Sequence, residues 1–448
     1  MSTPPPKSPP RWLALFWLVP FGIVVWWSIN TIGQVHNPKY DAGDRFRDFL
    51  EFYSGSEALV KGTPLYEAGK LGYIYPPLLA VLLMPLAHLP IASAALVWLA
   101  IKSAALLASI WLGARDMTRR FGLDRTGPLL IISGIVAAIG AAILADKVRA
   151  EYRMQQSNAI LLLCWTLALI WLDRRPGLAG IALGFAVTIK YVALIALPYL
   201  LIRRRFKAAA SLVLSTIAFN LAPAIILGWN ENLAGLSRAL GGIGNMLSGA
   251  GQQAGEAKIM GMENFGISVP SVVVRALDLP GLNITALLII AVIAAAVFAA
   301  AWIIYARAGQ SMFQHAAADG TSPLAQANPT RHRMLALEWS GLIVAALAFS
   351  PQTNSPHLVQ LVLVALALAA ALLALAPTHP FHFKLAIASA LVLLASLTLP
   401  PSGESTRTLV GLSRRIGWPA WTMLVSYLLL LAAAVPRPSP PAPPAHQP

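Results

Sequence analysis

Apolar runs long enough to cross a bilayer recur along almost the whole of this 448-residue chain. Each helical crossing of the hydrocarbon core needs about 20 such residues. Nothing in that core can hydrogen-bond an exposed N–H or C=O, so the runs are confined to helices that satisfy their own backbone. Charged residues make up 11% of the chain, against about 25% in soluble domains. The expectation is an all-α polytopic membrane protein with one transmembrane domain, residues 12–435. It lies between two Pro-rich ends, 1–11 and 436–448, which cannot form helix and are expected to be disordered.

Spans are expected near 12–33, 92–113, 127–146, 157–172, 177–189, 192–202, 208–229, 282–305, 336–349, 357–376, 382–399 and 417–435. The run at 76–90 is short and holds Pro76, Pro77, Pro85 and Pro90, which reads as a re-entrant element. The first run lacks a small-residue cleavage site and reads as a retained helix. This order places Arg115, Arg119, Arg120, Arg174, Arg175, Arg203–Arg205, Lys207, Arg331 and Arg333 on one side, as basic cytoplasmic loops require. Loops 34–75, 147–156, 230–280, 350–356 and 400–416 then face outward. Residues 176–202 must form a hairpin with its turn near Thr188–Tyr191, each arm roughly 20 Å long at the helical rise. Lys190 at that turn is costly unless it meets protein or water.

The stretch from Asp41 to Pro77 is unlike the rest. Asp41, Asp44, Asp48, Glu51, Glu57 and Glu67 supply 6 of the chain's 18 acidic residues. Phe46, Phe49, Phe52, Tyr53, Tyr66, Tyr73 and Tyr75 interleave with them. Carboxylates beside rings, next to a bilayer, read as a place where something polar is bound and reacted. Elsewhere the chain is basic, with a net charge of +15. Those charges sit in short loops between apolar runs, beside anionic headgroups, and no recognition motif accompanies them, so nucleic acid is not expected as a partner. The single cysteine, Cys164, lies in an apolar run and permits neither an intrachain disulfide nor a multi-cysteine metal site.

Several motifs stand in a fixed order. Asp48-Phe49 is followed by Tyr53, by Gly62-Thr63-Pro64-Leu65-Tyr66 and by Tyr75-Pro76-Pro77. Gln155-Gln156-Ser157-Asn158 comes next, then Ala179-Gly180 and Gly184 leading to Lys190, then Ser350-Pro351 and His357. In these residues, over roughly 12–400, the chain resembles the glycosyltransferase family 87 proteins, the polyprenol-phosphate-mannose-dependent α-mannosyltransferases among them. It departs from the family pattern at Gln155, where the family has glycine. The resemblance implies a GT-C-type bundle of about 12 transmembrane helices, with juxtamembrane helices in the first outer loop, in a bacterial inner membrane with its site facing the periplasm. It also implies a hexosyltransferase that moves a hexose, mannose above all, from a polyprenyl-phosphate donor to a glycolipid or glycan acceptor. No cofactor or metal is expected, and a monomer among membrane lipids is.

The chemistry that such a reaction needs assigns roles. A base takes the acceptor's hydroxyl proton, and Asp48 is expected to be that base, with Asp44 and Asp41 as rivals. Cations or hydrogen-bond donors stabilise the departing phosphate. Lys190, His357 and Arg153 are expected there, with Gln156, Asn158, Tyr53, Tyr75 and Asp44 as further substrate contacts. Attack opposite the leaving group predicts inversion. Blander readings stand beside these: Asp48 as a helix cap, Lys190 as a snorkelling lysine, and Gln156 and Asn158 as glue between helices. Lys102 sits mid-span with no assigned role. Helix count and hydropathy alone equally permit a secondary transporter, or a non-catalytic lipid-binding protein. No internal repeat of the transporter kind is visible.

Overall fold

A helix that is apolar on every side belongs in the middle of a bundle. Val362–Leu375 has that composition, and in the computed structural model of the chain its side chains are almost all fully buried. The structure describes residues 10–69, 73–250, 266–313, 329–376, 379–395, 408, 411–413 and 415–437. Most of the two Pro-rich ends lies outside these residues.

The helices run in this order. The first group is α1 (Leu18–His36), α2 (Ala42–Phe46), α3 (Asp48–Lys61), α4 (Pro77–Ala87), α5 (Ile91–Arg120), α6 (Leu129–Ile143) and α7 (Ala145–Met154). Then come α8 (Asn158–Trp171), α9 (Pro176–Ile189), α10 (Ala196–Ile202), α11 (Phe206–Leu221), α12 (Ala224–Leu227) and α13 (Trp229–Ser248). The last group is α14 (Val269–Ala276), α15 (Ile284–Arg307), α16 (Pro329–Phe349), α17 (Val362–Leu375), α18 (Pro380–Ala395) and α19 (Trp418–Ala434). The described residues hold no strand.

Six of these segments are long and apolar enough to cross a membrane, and α6 with α7 forms a seventh apolar path bent by 66°. Each of the twelve expected spans falls on a helix, though several of those helices are short. The chain is an all-α polytopic membrane protein. Helix α17 packs against α5, α6, α16, α18 and α19. Small residues permit this closeness: Gly113 and Gly140 meet the Leu366 side chain from opposite partners. At the periphery α1, α11, α12 and α15 turn bare apolar side chains outward, among them Ile225, Ile284 and Val292.

Residues 147–156, expected as a loop, are largely the helix α7. Its charges masked a buried stripe of Lys147, Val148, Glu151 and Tyr152, which recurs at helical spacing. The basic cluster 203–205 also differs from the expected solvated loop. Arg203 is buried and its Nε lies 2.6 Å from Glu338 Oε2, while the Tyr199 hydroxyl donates to the same carboxylate oxygen at 3.0 Å. Arg205 pairs with Asp173. Breaking a buried pair by removing one partner costs about 3–5 kcal/mol, so Arg203 pins α10 to α16.

The hairpin predicted over 176–202 is present as α9, a break at Lys190, a 3-10 turn over Tyr191–Ile195, and α10. Helix α9 is held by α11, and Gly180 and Gly184 are the reason. A Cβ on Gly180 would meet Leu212 N at 2.7 Å, and one on Gly184 would meet both Leu212 O and Thr216 N at 2.9 Å. Small residues four apart let two helices approach to backbone contact. Gly184→Leu is expected to lower the thermal midpoint in detergent by an amount equivalent to about 1–3 kcal/mol. Gly177→Leu, whose Cβ would meet only Lys207 Cε at 4.0 Å, is the control and should unfold like the native protein.

Candidate active site

A left-handed residue starts the site. Arg47 has φ 49°, and this sharp turn between α2 and α3 puts Asp48 in the first turn of α3. Underneath, the rings of the acidic-aromatic stretch form a core. Phe49 and Phe52 are fully buried against Trp98, with ring centroids 6.0 and 5.7 Å away, and Phe52 meets Tyr75 at 5.1 Å. Most of the aromatics in the stretch therefore hold the loop on α5 and are not free to stack on a ligand. The motif residues after α3 close that loop. Gly62 ends the helix at φ 67°, the Tyr66 hydroxyl donates to Tyr75 O at 3.0 Å, and the Tyr73 hydroxyl donates to Pro76 O at 3.0 Å. Pro77 then opens α4, a position where a missing N–H costs nothing.

The second half of the site is the turn between α7 and α8. Gln155 is left-handed, with φ 54° and ψ 38°, which is why glycine is favoured in the related pattern. Here the strain is offset by three bonded atoms. Trp98 Nε1 donates to Gln155 O at 3.0 Å, Gln155 Nε2 donates to Arg45 O at 2.9 Å, and the Gln155 N–H donates to Tyr152 O at 3.2 Å. Gln155→Ala keeps the backbone strain and loses the side-chain bond, so it should destabilise more than Gln155→Gly in thermal unfolding.

That turn aims Gln156 at the centre. Gln156 Nε2 donates to Asp48 Oδ2, and its Oε1 accepts from Lys190 Nζ at 3.0 Å and from the Tyr75 hydroxyl at 3.4 Å. Lys190 Nζ also lies 2.8 Å from Asn158 Oδ1 and 2.7 Å from His357 Nε2. His357 is the third residue of the 3-10 segment Ser355–Leu361, which follows Asn354, and the Asn354 backbone N–H donates to His357 Nδ1 at 3.0 Å. Four separate chain segments thus meet through Asp48, Gln156, Asn158, Lys190 and His357, with Tyr75 at the edge.

Two buried groups beneath them were not singled out by sequence reasoning as part of a site. Glu151 Oε2 accepts from Asn158 Nδ2 at 2.9 Å, and Lys102 Nζ donates to Glu151 O at 3.1 Å while lying 4.7 Å from the Tyr152 ring centroid. Both side chains are fully buried, so Lys102 does not snorkel. A lysine in mid-span was the available signal. Three other expected contacts stay outside the cluster. Asp44 pairs with Arg47 at 2.9 Å, the Tyr53 hydroxyl donates to Leu89 O at 2.8 Å, and Arg153 is exposed, its carbonyl accepting from Gln34 Nε2 at 3.3 Å. Asp41, the other rival base, caps α2 by accepting from Asp44 N at 2.7 Å.

Loss of water around Asp48 raises its carboxyl above the ordinary value; the Gln156 bond, Lys190, Arg47 and Lys102 oppose that rise without cancelling it. A carboxyl raised in the folded state makes stability fall as pH climbs through the raised value. Asp48→Asn is therefore expected to melt above the native protein at neutral pH. That gap should close as pH drops to the unfolded carboxyl range near 4, as read by scanning fluorimetry in detergent.

Comparison with known proteins adds three findings. Residues 73–324 match the model of Glycosyltransferase family 87. Over 242 residues the chain is 29% identical to the polyprenol-phosphate-mannose-dependent alpha-(1-2)-phosphatidylinositol mannoside mannosyltransferase of Mycobacterium tuberculosis (strain ATCC 25618 / H37Rv), which covers 49% of this chain and 52% of that one. The chain thus spans about half the length of the curated relative it matches. The crystal structure of ArnT from Cupriavidus metallidurans bound to undecaprenyl phosphate aligns with a TM-score of 0.44 at 15% identity, covering 94% of this chain and 77% of that one. Gln156, Asn158 and Lys190 lie within the family match; Asp48 and His357 lie to either side of it.

Proposed function

The chain belongs to glycosyltransferase family 87, and from that premise we propose that it is a membrane hexosyltransferase with Asp48 as its general base. The donor is a polyprenyl-phosphate hexose, with mannose as the sugar, which is also the donor named for the mycobacterial relative. The acceptor is a hydroxyl of a glycolipid or other glycan on the periplasmic side of a bacterial inner membrane. The transferase unit is residues 12–435.

One observation carries the reading: a single amide, Gln156, bonds the Asp48 carboxylate with one end and Lys190 with the other. A carboxylate and a hydrogen-bonding lysine–histidine pole are thereby held one side chain apart. That is the spacing needed when a base must face the attacking hydroxyl while the phosphate leaves beside cations and donors. The acceptor O–H loses its proton to Asp48 as its oxygen attacks the anomeric carbon. The bond from that carbon to the phosphate oxygen breaks, and its electron pair departs with the polyprenyl phosphate towards Lys190 and His357. Attack opposite the leaving group inverts the centre, so a β-linked donor yields an α-glycoside. The raised Asp48 carboxyl makes it a better proton acceptor than an ordinary aspartate. Gln156 and Asn158 orient Lys190.

Membranes carrying the native protein should transfer label from polyprenyl-phosphate mannose to an endogenous lipid-extractable or glycan acceptor. Asp48→Asn should lower that transfer by about 10²–10⁴-fold, the usual contribution of a positioned base. Equal transfer by both proteins removes Asp48 from the mechanism. Sidedness has its own check. The native thiol Cys164 is buried, so Lys39→Cys gives a clean reporter on the exposed turn before α2. A membrane-impermeant maleimide should label it from the periplasmic side in intact cells stripped of their outer membrane; labelling only after lysis reverses the orientation.

A further inference from the structure

The hydrogen bonds around Lys190 fix more than its position. Asp48, a carboxylate, accepts from one end of the Gln156 amide, so that end is the NH₂ group and the end towards Lys190 is the carbonyl. Glu151 orients Asn158 in the same way, leaving Asn158 Oδ1 towards Lys190. Lys190 Nζ therefore faces two acceptors. Its third neighbour is His357 Nε2 at 2.7 Å. The other ring nitrogen, Nδ1, receives the backbone N–H of Asn354 at 3.0 Å, and a backbone N–H can only donate. Nδ1 must then offer a lone pair, and a neutral imidazole with a lone pair on Nδ1 carries its proton on Nε2. Nε2–H is a donor aimed at Nζ. An ammonium has three donors and nothing with which to accept; an uncharged amine has two donors and one lone pair.

We propose that Lys190 rests as an uncharged amine, giving its two N–H groups to Gln156 and Asn158 and accepting the Nε2–H of His357. Lys190 Nζ and both ring nitrogens of His357 then have matching partners. The ammonium form would set two donors head to head, either at His357 Nε2 or at the Asn354 N–H. The charged and titratable groups around this centre are Asp48 from α3, Glu151 from α7, Lys102 from α5, Tyr75 ahead of α4 and Tyr191 beside Lys190 itself. The two carboxylates favour the ammonium and burial favours the amine. The fixed histidine tautomer decides between them.

The consequence for catalysis rests on the donor reading above. A phosphate diester arriving with one negative charge offers Lys190 an acceptor in place of the His357 donor. Lys190 Nζ takes one proton from a hydronium ion or buffer acid of the bulk solvent, becomes an ammonium and donates to the phosphate, and His357 Nε2–H turns to the same phosphate. One negative charge and one proton enter together, so the net charge of the pocket does not change. The cation needed by the leaving group is thus created by the substrate and is absent from the empty site.

The test uses the full-length protein in nanodiscs, with ¹³C-lysine and ¹⁵N-histidine labels read by NMR near neutral pH. Loss of one signal in Lys190→Met, and of another in His357→Gln, assigns them; Lys61, a surface lysine paired with Glu57 at 2.8 Å, is the ammonium reference. The expected result is a Lys190 ε-methylene signal at the uncharged-amine position and a His357 ring protonated at Nε2 alone. Farnesyl phosphate should then move Lys190 to the ammonium position, and farnesol should leave it where it was. A Lys190 signal coincident with that of Lys61 before any addition, or a His357 ring protonated at Nδ1, overturns the proposal. An uncharged Lys190 that ignores farnesyl phosphate upholds the resting state and overturns its coupling to phosphate, and with it the donor reading.

Discussion

Polar side chains placed at membrane depth must find their partners inside the protein, and Gln156 is where that requirement is met for the whole site. Its amide bridges the α3 carboxylate and the lysine at the broken α9 hairpin. Everything else supports that bridge. Trp98 and the Gln155 turn set the direction of the amide, Glu151 turns Asn158, and Asn354 sets the tautomer of His357. An unpaired buried polar group costs about 1–3 kcal/mol, so a network of this kind holds one geometry or loses several bonds together. The acidic-aromatic stretch acts as the platform: its rings anchor α3 on α5, and it turns the Asp48 carboxylate onto Gln156.

The fold was legible because the bilayer removes the alternatives. Apolar runs at membrane depth must be helical, and each expected span is. The hairpin at 176–202 was legible from the length between two basic clusters. Its close packing on α11 explains why Gly180 and Gly184 precede Lys190. Less visible was α7, because its charges resemble a loop and its buried stripe is only a few residues long. Arg203 was misplaced for a related reason. A run of three arginines reads as solvated, and nothing local reveals that Glu338, more than a hundred residues away, takes the first of them out of solvent.

For the site, order along the chain was informative and orientation was not. Asp48, Gln156, Asn158, Lys190 and His357 were picked out as motif residues, and they do meet. Tyr53 and Arg153 were picked out beside them but do not reach the cluster: the Tyr53 hydroxyl bonds Leu89 O and Arg153 is exposed. Glu151 escaped notice and Lys102 was noticed without a role, because neither carries a motif; their only signal was the expense of a charge in apolar surroundings. Gln155 shows how a departure from the family pattern can keep its geometry, by trading the freedom of glycine for side-chain and backbone bonds to Arg45 and Trp98.

The central claim is spatial, that base and phosphate pole lie either side of one amide. The most direct measurement is a cryo-electron-microscopy structure with a non-cleavable polyprenyl phosphonate analogue of the mannose donor. The account predicts the phosphonate within hydrogen-bonding distance of Lys190 and His357, with the anomeric carbon facing Asp48 across room for one hydroxyl. A phosphonate bound against Arg153, or at any place from which Asp48 cannot face the anomeric carbon, contradicts it.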